Sequence, residues 1–86
     1  MPEIVIYTTT ICPYCVRAKM LLQRKGVPYE EVNVSGDADA RQALVARTRQ
    51  RTVPQIFING EHIGGADELA ELERAGKLDA LLAQPS

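Results

Sequence analysis

The chain has 86 residues and a net charge of −1 from ten basic and eleven acidic side chains, a balance that argues against a general nucleic-acid binder or a charge-driven membrane-surface protein. A hydrophobic content of 45% is enough for a thin but ordinary core, and the length suits one domain spanning 1–86. No segment approaches the ~20 apolar residues of a membrane span, and Met1-Pro2-Glu3-Ile4 lacks the basic start and apolar run of a secretory leader, so the expected location is cytoplasmic, with no membrane or nucleic-acid partner.

In chain order, Ile4-Val5-Ile6-Tyr7 is a continuous apolar, largely β-branched run that fits a strand buried on both faces. Pro13 to Lys25 reads as a helix, with Pro13 suited to its first turn and Gly26 to its C-cap. Ala18, Leu21 and Leu22 fall on the side of that helix that carries Cys15. A second strand covers about Tyr29 to Val34. Ser35-Gly36-Asp37 is a turn that starts a helix over Ala38 to Arg47, with Leu44 and Val45 toward the core. Ile56-Phe57-Ile58 is a third strand, Asn59-Gly60 a hairpin turn, and His62-Ile63 the returning strand, closed by Gly64-Gly65. A helix follows from about Asp67 to Ala75, and Leu78 to Leu82 forms a short final turn or helix. Strands joined through a helix run parallel and the hairpin antiparallel. The expected fold is therefore α/β: a four-stranded mixed sheet flanked by helices, built from a βαβ and a ββα unit.

The two cysteines stand three apart in Cys12-Pro13-Tyr14-Cys15. A loop that short yields little as a structural staple, so the pair points to reactivity or metal binding. Zinc needs about four ligands, and His62 is the one further nitrogen ligand in the chain, so no metal site is expected. Cys12 falls at the N-cap of the first helix, where free N–H groups and the positive dipole end stabilise a thiolate and lower the thiol pKa. Cys15 sits one turn inside and is more covered. Cys12 is thus expected to attack a disulfide and Cys15 to resolve the mixed disulfide.

Three pieces together, Cys12-Pro13-Tyr14-Cys15, Thr52-Val53-Pro54 and Gly64-Gly65-Ala66-Asp67, make the chain similar to the glutaredoxin family, in particular its short bacterial dithiol type. The resemblance implies a thioredoxin-like fold, glutathione as co-substrate with no tightly bound cofactor, and activity on glutathionylated or disulfide-containing proteins, for which the family suggests ribonucleotide reductase. It implies a cis bond between Val53 and Pro54, freeing the Val53 backbone to pair with glutathione as an added strand; Pro54 also suits a plain strand start. Gly65, Ala66 and Asp67 offer close backbone approach, N–H groups for a carboxylate, and a charge for an ammonium, although Asp67 also reads as an ordinary helix-start acid. Tyr14 either stacks beside the bound thiol or shields the helix end. One of Arg49, Gln50 and Arg51 is expected to take the glycine carboxylate of glutathione, with Arg51 the candidate beside Thr52; an arginine here also reads as solvated charge.

The chain departs from the family at Thr8-Thr9-Thr10-Ile11, where many members carry a lysine, and at Ala66, where some carry a third cysteine. Two other readings of the cysteine pair stay open in the sequence: a donor served by a thioredoxin reductase, and a dimer holding a 2Fe–2S cluster, which the stiff Pro13 disfavours. A monomer is expected.

Overall fold

The computed structural model describes residues 2–84. Met1, Pro85 and Ser86, and with them the ends of the expected 1–86 span, lie outside the described residues. The elements run β1 (Ile4–Thr8), α1 (Pro13–Arg24), β2 (Glu30–Asn33), α2 (Ala38–Thr48), β3 (Gln55–Ile58), β4 (Glu61–Gly64), α3 (Ala66–Arg74) and α4 (Leu78–Leu82). The sheet order is β2-β1-β3-β4, with β1 parallel to β2 and antiparallel to β3, and β3 antiparallel to β4.

Local chemistry sets the boundaries. Pro13 takes the first position of α1, where no helical N–H bond is lost, and the helix stops at Gly26, whose φ of 72° is costly for a side-chain-bearing residue. Asp37 caps α2 by accepting from the Ala40 amide at 3.0 Å. Asn59 and Gly60, with φ of 52° and 82°, form the tight β3–β4 hairpin.

One sheet face is densely covered. Ile4, Ile6, Ile56 and Ile58 meet Ala18, Leu21 and Leu22 of α1, Leu69 of α3 and Leu78 and Leu82 of α4 in one core cluster. The other face is covered by α2, which buries only Leu44 and Thr48. The expectation that Ile4 to Tyr7 is buried on both faces is corrected here: Val5 and Tyr7 are half-exposed because α2 is a thin cover. Val45, expected in the core, is likewise half-exposed. In place of an aliphatic core, this face has Tyr7 edge-on to Phe57 at 5.7 Å and the Arg47 guanidinium 4.1 Å above the Phe57 ring.

Charged groups tie the elements together at two points. Glu31 of β2 accepts from the Thr8 hydroxyl at 2.7 Å and pairs with Lys19 at 3.1 Å. Lys25, after α1, bridges Glu73 at 2.7 Å and Asp79 at 2.9 Å, linking α1 to α3 and α4.

Candidate active site

Cys12 stands at the junction of β1 and α1 with extended backbone, and its sulfur accepts from the Cys15 amide at 3.1 Å. The two cysteines are joined as a disulfide, with Cα atoms 5.2 Å apart. Cys12 is partly exposed, whereas Cys15 is 1% exposed and belongs to the buried stripe of α1. The Cys12 sulfur also lies 3.7 Å from the Val53 carbonyl oxygen. In the disulfide that is a contact without a proton; a Cys12 thiol has that oxygen as an acceptor.

The peptide bond between Val53 and Pro54 is cis. The Val53 amide makes no backbone hydrogen bond within the described residues. Beside this turn is the start of α3. Gly64 has φ of 124°, and a Cβ there would meet the Glu68 side chain at 2.8 Å; a Cβ on Gly65 would meet the Pro54 carbonyl oxygen at 3.3 Å. The glycine pair therefore lets the α3 terminus close against the proline turn. Glu68 caps the helix by accepting from the Gly65 amide at 2.7 Å, which leaves the Ala66 and Asp67 amides without helical partners.

Between these pieces lies a groove of about 370 Å³, lined by Tyr14, by Gln50, Thr52, Val53 and Pro54, and by Gly65 through Glu68. Of the sequence-predicted contact residues, Tyr14, Thr52, Val53, Pro54, Gly65, Ala66 and Asp67 thus converge on one groove. Arg51 does not line it. It turns to a neighbouring depression with Ala38, Arg41, Gln42 and Val45, and its carbonyl accepts from the Arg41 guanidinium at 3.1 Å.

Sequence reasoning missed two residues. Gln55 is fully buried behind the loop, and its Nε2 donates to the Thr52 carbonyl and the Gln50 Oε1, both at 3.0 Å. A carbonyl oxygen can only accept, so the amide orientation is fixed, and Gln55 Oε1 must take the proton carried by His62 Nε2 at 2.7 Å. His62 lies away from the sulfur yet holds the loop that faces it. Glu68 is the second, and its signal was its place three residues after Gly65, from which its carboxylate reaches back to the N-cap amide. The Thr8–Ile11 stretch carries no charge, so the amide end of α1 is the positive pole at Cys12. Among the described residues no three His, Cys, Asp or Glu side chains gather as a metal site, and no helix is long and apolar enough to cross a membrane.

A helix-start cysteine pair beside a cis-proline turn, on a four-stranded mixed sheet flanked by helices, defines a thiol–disulfide oxidoreductase of thioredoxin-like fold. The glutaredoxin family profile matches residues 4–63. Glutaredoxin of Pseudomonas aeruginosa is 57% identical over 82 residues, covering 95% of this chain and 98% of that one. Glutaredoxin 3 of Escherichia coli is 49% identical over 82 residues, covering 95% and 99%. The crystal structure of a buckwheat glutaredoxin–glutathione complex superposes with a TM-score of 0.87 at 39% identity, covering 94% of this chain and 76% of that one. The chain belongs to the glutaredoxin family.

Proposed function

We propose that this oxidoreductase is glutathione-dependent and reduces glutathione mixed disulfides and protein disulfides, with Cys12 attacking and Cys15 resolving. The observation that carries the reading is the Cys12 sulfur at the amide end of α1, 3.1 Å from the Cys15 N–H and next to the Val53 turn. An anion there gains a hydrogen bond and the helix field, so the reduced thiol titrates below ordinary cysteine. In the first route the Cys12 thiolate attacks the glutathione sulfur of a glutathionylated protein, whose thiolate leaves and takes a proton. A second glutathione thiolate then attacks the Cys12-bound glutathione, giving glutathione disulfide and free Cys12. In the second route Cys12 forms a mixed disulfide with one half of a protein disulfide. The Cys15 thiolate displaces that half and closes the Cys12–Cys15 bond found in the structure.

The groove suits glutathione as an extended peptide. Its cysteine pairs with the Val53 backbone, and its γ-glutamyl carboxylate meets the Ala66 and Asp67 amides. Its ammonium meets the Asp67 carboxylate and its thiol passes Tyr14, while the glycine carboxylate reaches toward Gln50 and Thr52. The glutathione named in the buckwheat complex supports this choice of ligand. The protein works as a cytoplasmic monomer without a resident cofactor.

The test is a coupled assay with glutathione, glutathione reductase and a glutathione mixed disulfide. Cys12→Ser abolishes all transfer. Cys15→Ser retains deglutathionylation and loses protein-disulfide reduction; loss of both activities would overturn the glutathione route. Asp67→Asn raises the KM for the mixed disulfide about tenfold, the size of one charge-assisted contact.

A further inference from the structure

Arg17, Met20, Leu21 and Arg24 fall at i, i+3, i+4 and i+7 of α1 and so form one stripe. That stripe is one wall of a groove of about 320 Å³, and Ala66, Asp67 and Ala70 of α3 form the other. The groove continues from the one beside Cys12, because Ala66 and Asp67 line both.

Its α1 wall is basic, and Asp67 on the α3 wall is the one acidic side chain lining the groove. α1 contains no acidic residue, and its Lys19 is already paired with Glu31. Neither Arg17 nor Arg24 forms a salt bridge among the described residues. Apolar surface accompanies the charge: the exposed large hydrophobics among the described residues are Ile11 (91%), Tyr14 (53%), Val16 (50%) and Met20 (56%), all in α1 or next to Cys12. Two guanidinium groups without a carboxylate partner, that of Arg17 lying 5.4 Å from the Tyr14 ring centroid, frame an apolar strip and complement a polypeptide that carries carboxylates around an apolar residue.

We propose that the α1–α3 groove seats the substrate polypeptide flanking its reactive cysteine, and that it selects chains with acidic residues a few positions from that cysteine. The inference rests on Cys12 as the attacking sulfur and adds the class of protein substrate. The helical rise places Arg17 about 7 Å and Arg24 about 18 Å along α1 from Cys12. An extended chain covers those distances in about two and five residues, and side chains two apart share a face, so glutamates at the third and fifth positions reach both arginines.

The probe is the disulfide-linked dimer of a synthetic peptide with one cysteine and glutamates at the third and fifth positions on both sides of it. The comparison peptide carries lysines there. Reduced enzyme opens either dimer to two peptide thiols and its own Cys12–Cys15 disulfide, measured by acid quench and chromatography. Wild type opens the glutamate dimer about 5-fold faster than the lysine dimer at low salt, the effect expected of two exposed charge contacts, and the ratio falls toward one at high salt. Arg24→Glu lowers the ratio while turnover of the cysteine–glutathione mixed disulfide stays within about twofold of wild type; Arg17→Glu combined with Arg24→Glu inverts the preference. Equal rates for the two dimers in wild type, or a preference that survives the double charge reversal, would overturn the proposal. So would an equal loss of peptide and mixed-disulfide turnover in Arg24→Glu, since the groove would then belong to the glutathione site. Failure of the underlying reading looks different: Cys12→Ser would keep opening both dimers.

Discussion

Gln55 and His62 illustrate how a residue remote from the sulfur shapes the surface that faces it. Gln55 is the one buried side chain bonded to Gln50, Thr52 and His62 together, and three of its bonds go to the loop that walls the groove. Gln55→Met keeps the volume but strands the Thr52 carbonyl and the His62 N–H, a loss of about 1–3 kcal/mol. The expected outcome is a lower denaturation midpoint together with a raised KM for the glutathione mixed disulfide, while the alkylation rate of reduced Cys12 holds. Gly64→Ala tests the opposite wall. With φ of 124° and a Glu68 contact at 2.8 Å, the added methyl costs roughly 1–3 kcal/mol and displaces the α3 cap, which chemical denaturation measures directly.

At the scale of elements, the joint between β1, β2 and α1 runs through one carboxylate. The Thr8 hydroxyl, and after it Lys19, hold the Glu31 carboxyl below the usual carboxylate range. A lowered folded-state pKa means that the stabilisation is complete above the unfolded value of about 4.3 and is lost as pH falls through the folded one. Melting curves from pH 7 to pH 3 should therefore show wild type losing more stability in acid than Glu31→Gln does. These elements were largely legible in the sequence because their ends demand particular residues: Pro13 for a first turn, Gly26 for a left-handed stop, Asn59-Gly60 for a tight hairpin. The three motifs of the groove were legible for the same reason. Gln55 was not, since its partners Gln50, Thr52 and His62 gain meaning only once the hairpin folds back. Nor was the half-exposure of Val5 and Tyr7, because an apolar run does not report how thick the cover on each face is.

Taken as a whole, the molecule is lopsided. α1, α3 and α4 share the aliphatic core with one face of the sheet, whereas α2 rests on the other through Leu44, Thr48 and an arginine–aromatic stack. Regions with little buried apolar contact open at lower free energy than the core. Native-state hydrogen exchange should therefore show α2 amides exchanging well ahead of those of α1, by about tenfold or more. Uniform protection across both helices would contradict this account. Lys25 adds to the firm side: the hydrogen bonds it donates to Asp79 and Glu73 raise its pKa, so the clasp persists below the ordinary lysine value and is lost as pH rises through the raised one.

The unequal depth of the two cysteines gives the chemistry a direction. In the proposed mechanism, with Cys15 at 1% exposure, a bulky client arriving from solvent is captured at the outer sulfur alone. Ejection then comes from inside the protein, by a group already within one helical turn, so every capture carries its own time limit. A client that docks badly is discarded by ring closure without waiting for another molecule, and removing the inner sulfur should convert this fleeting encounter into a durable snare that retains its captives for identification.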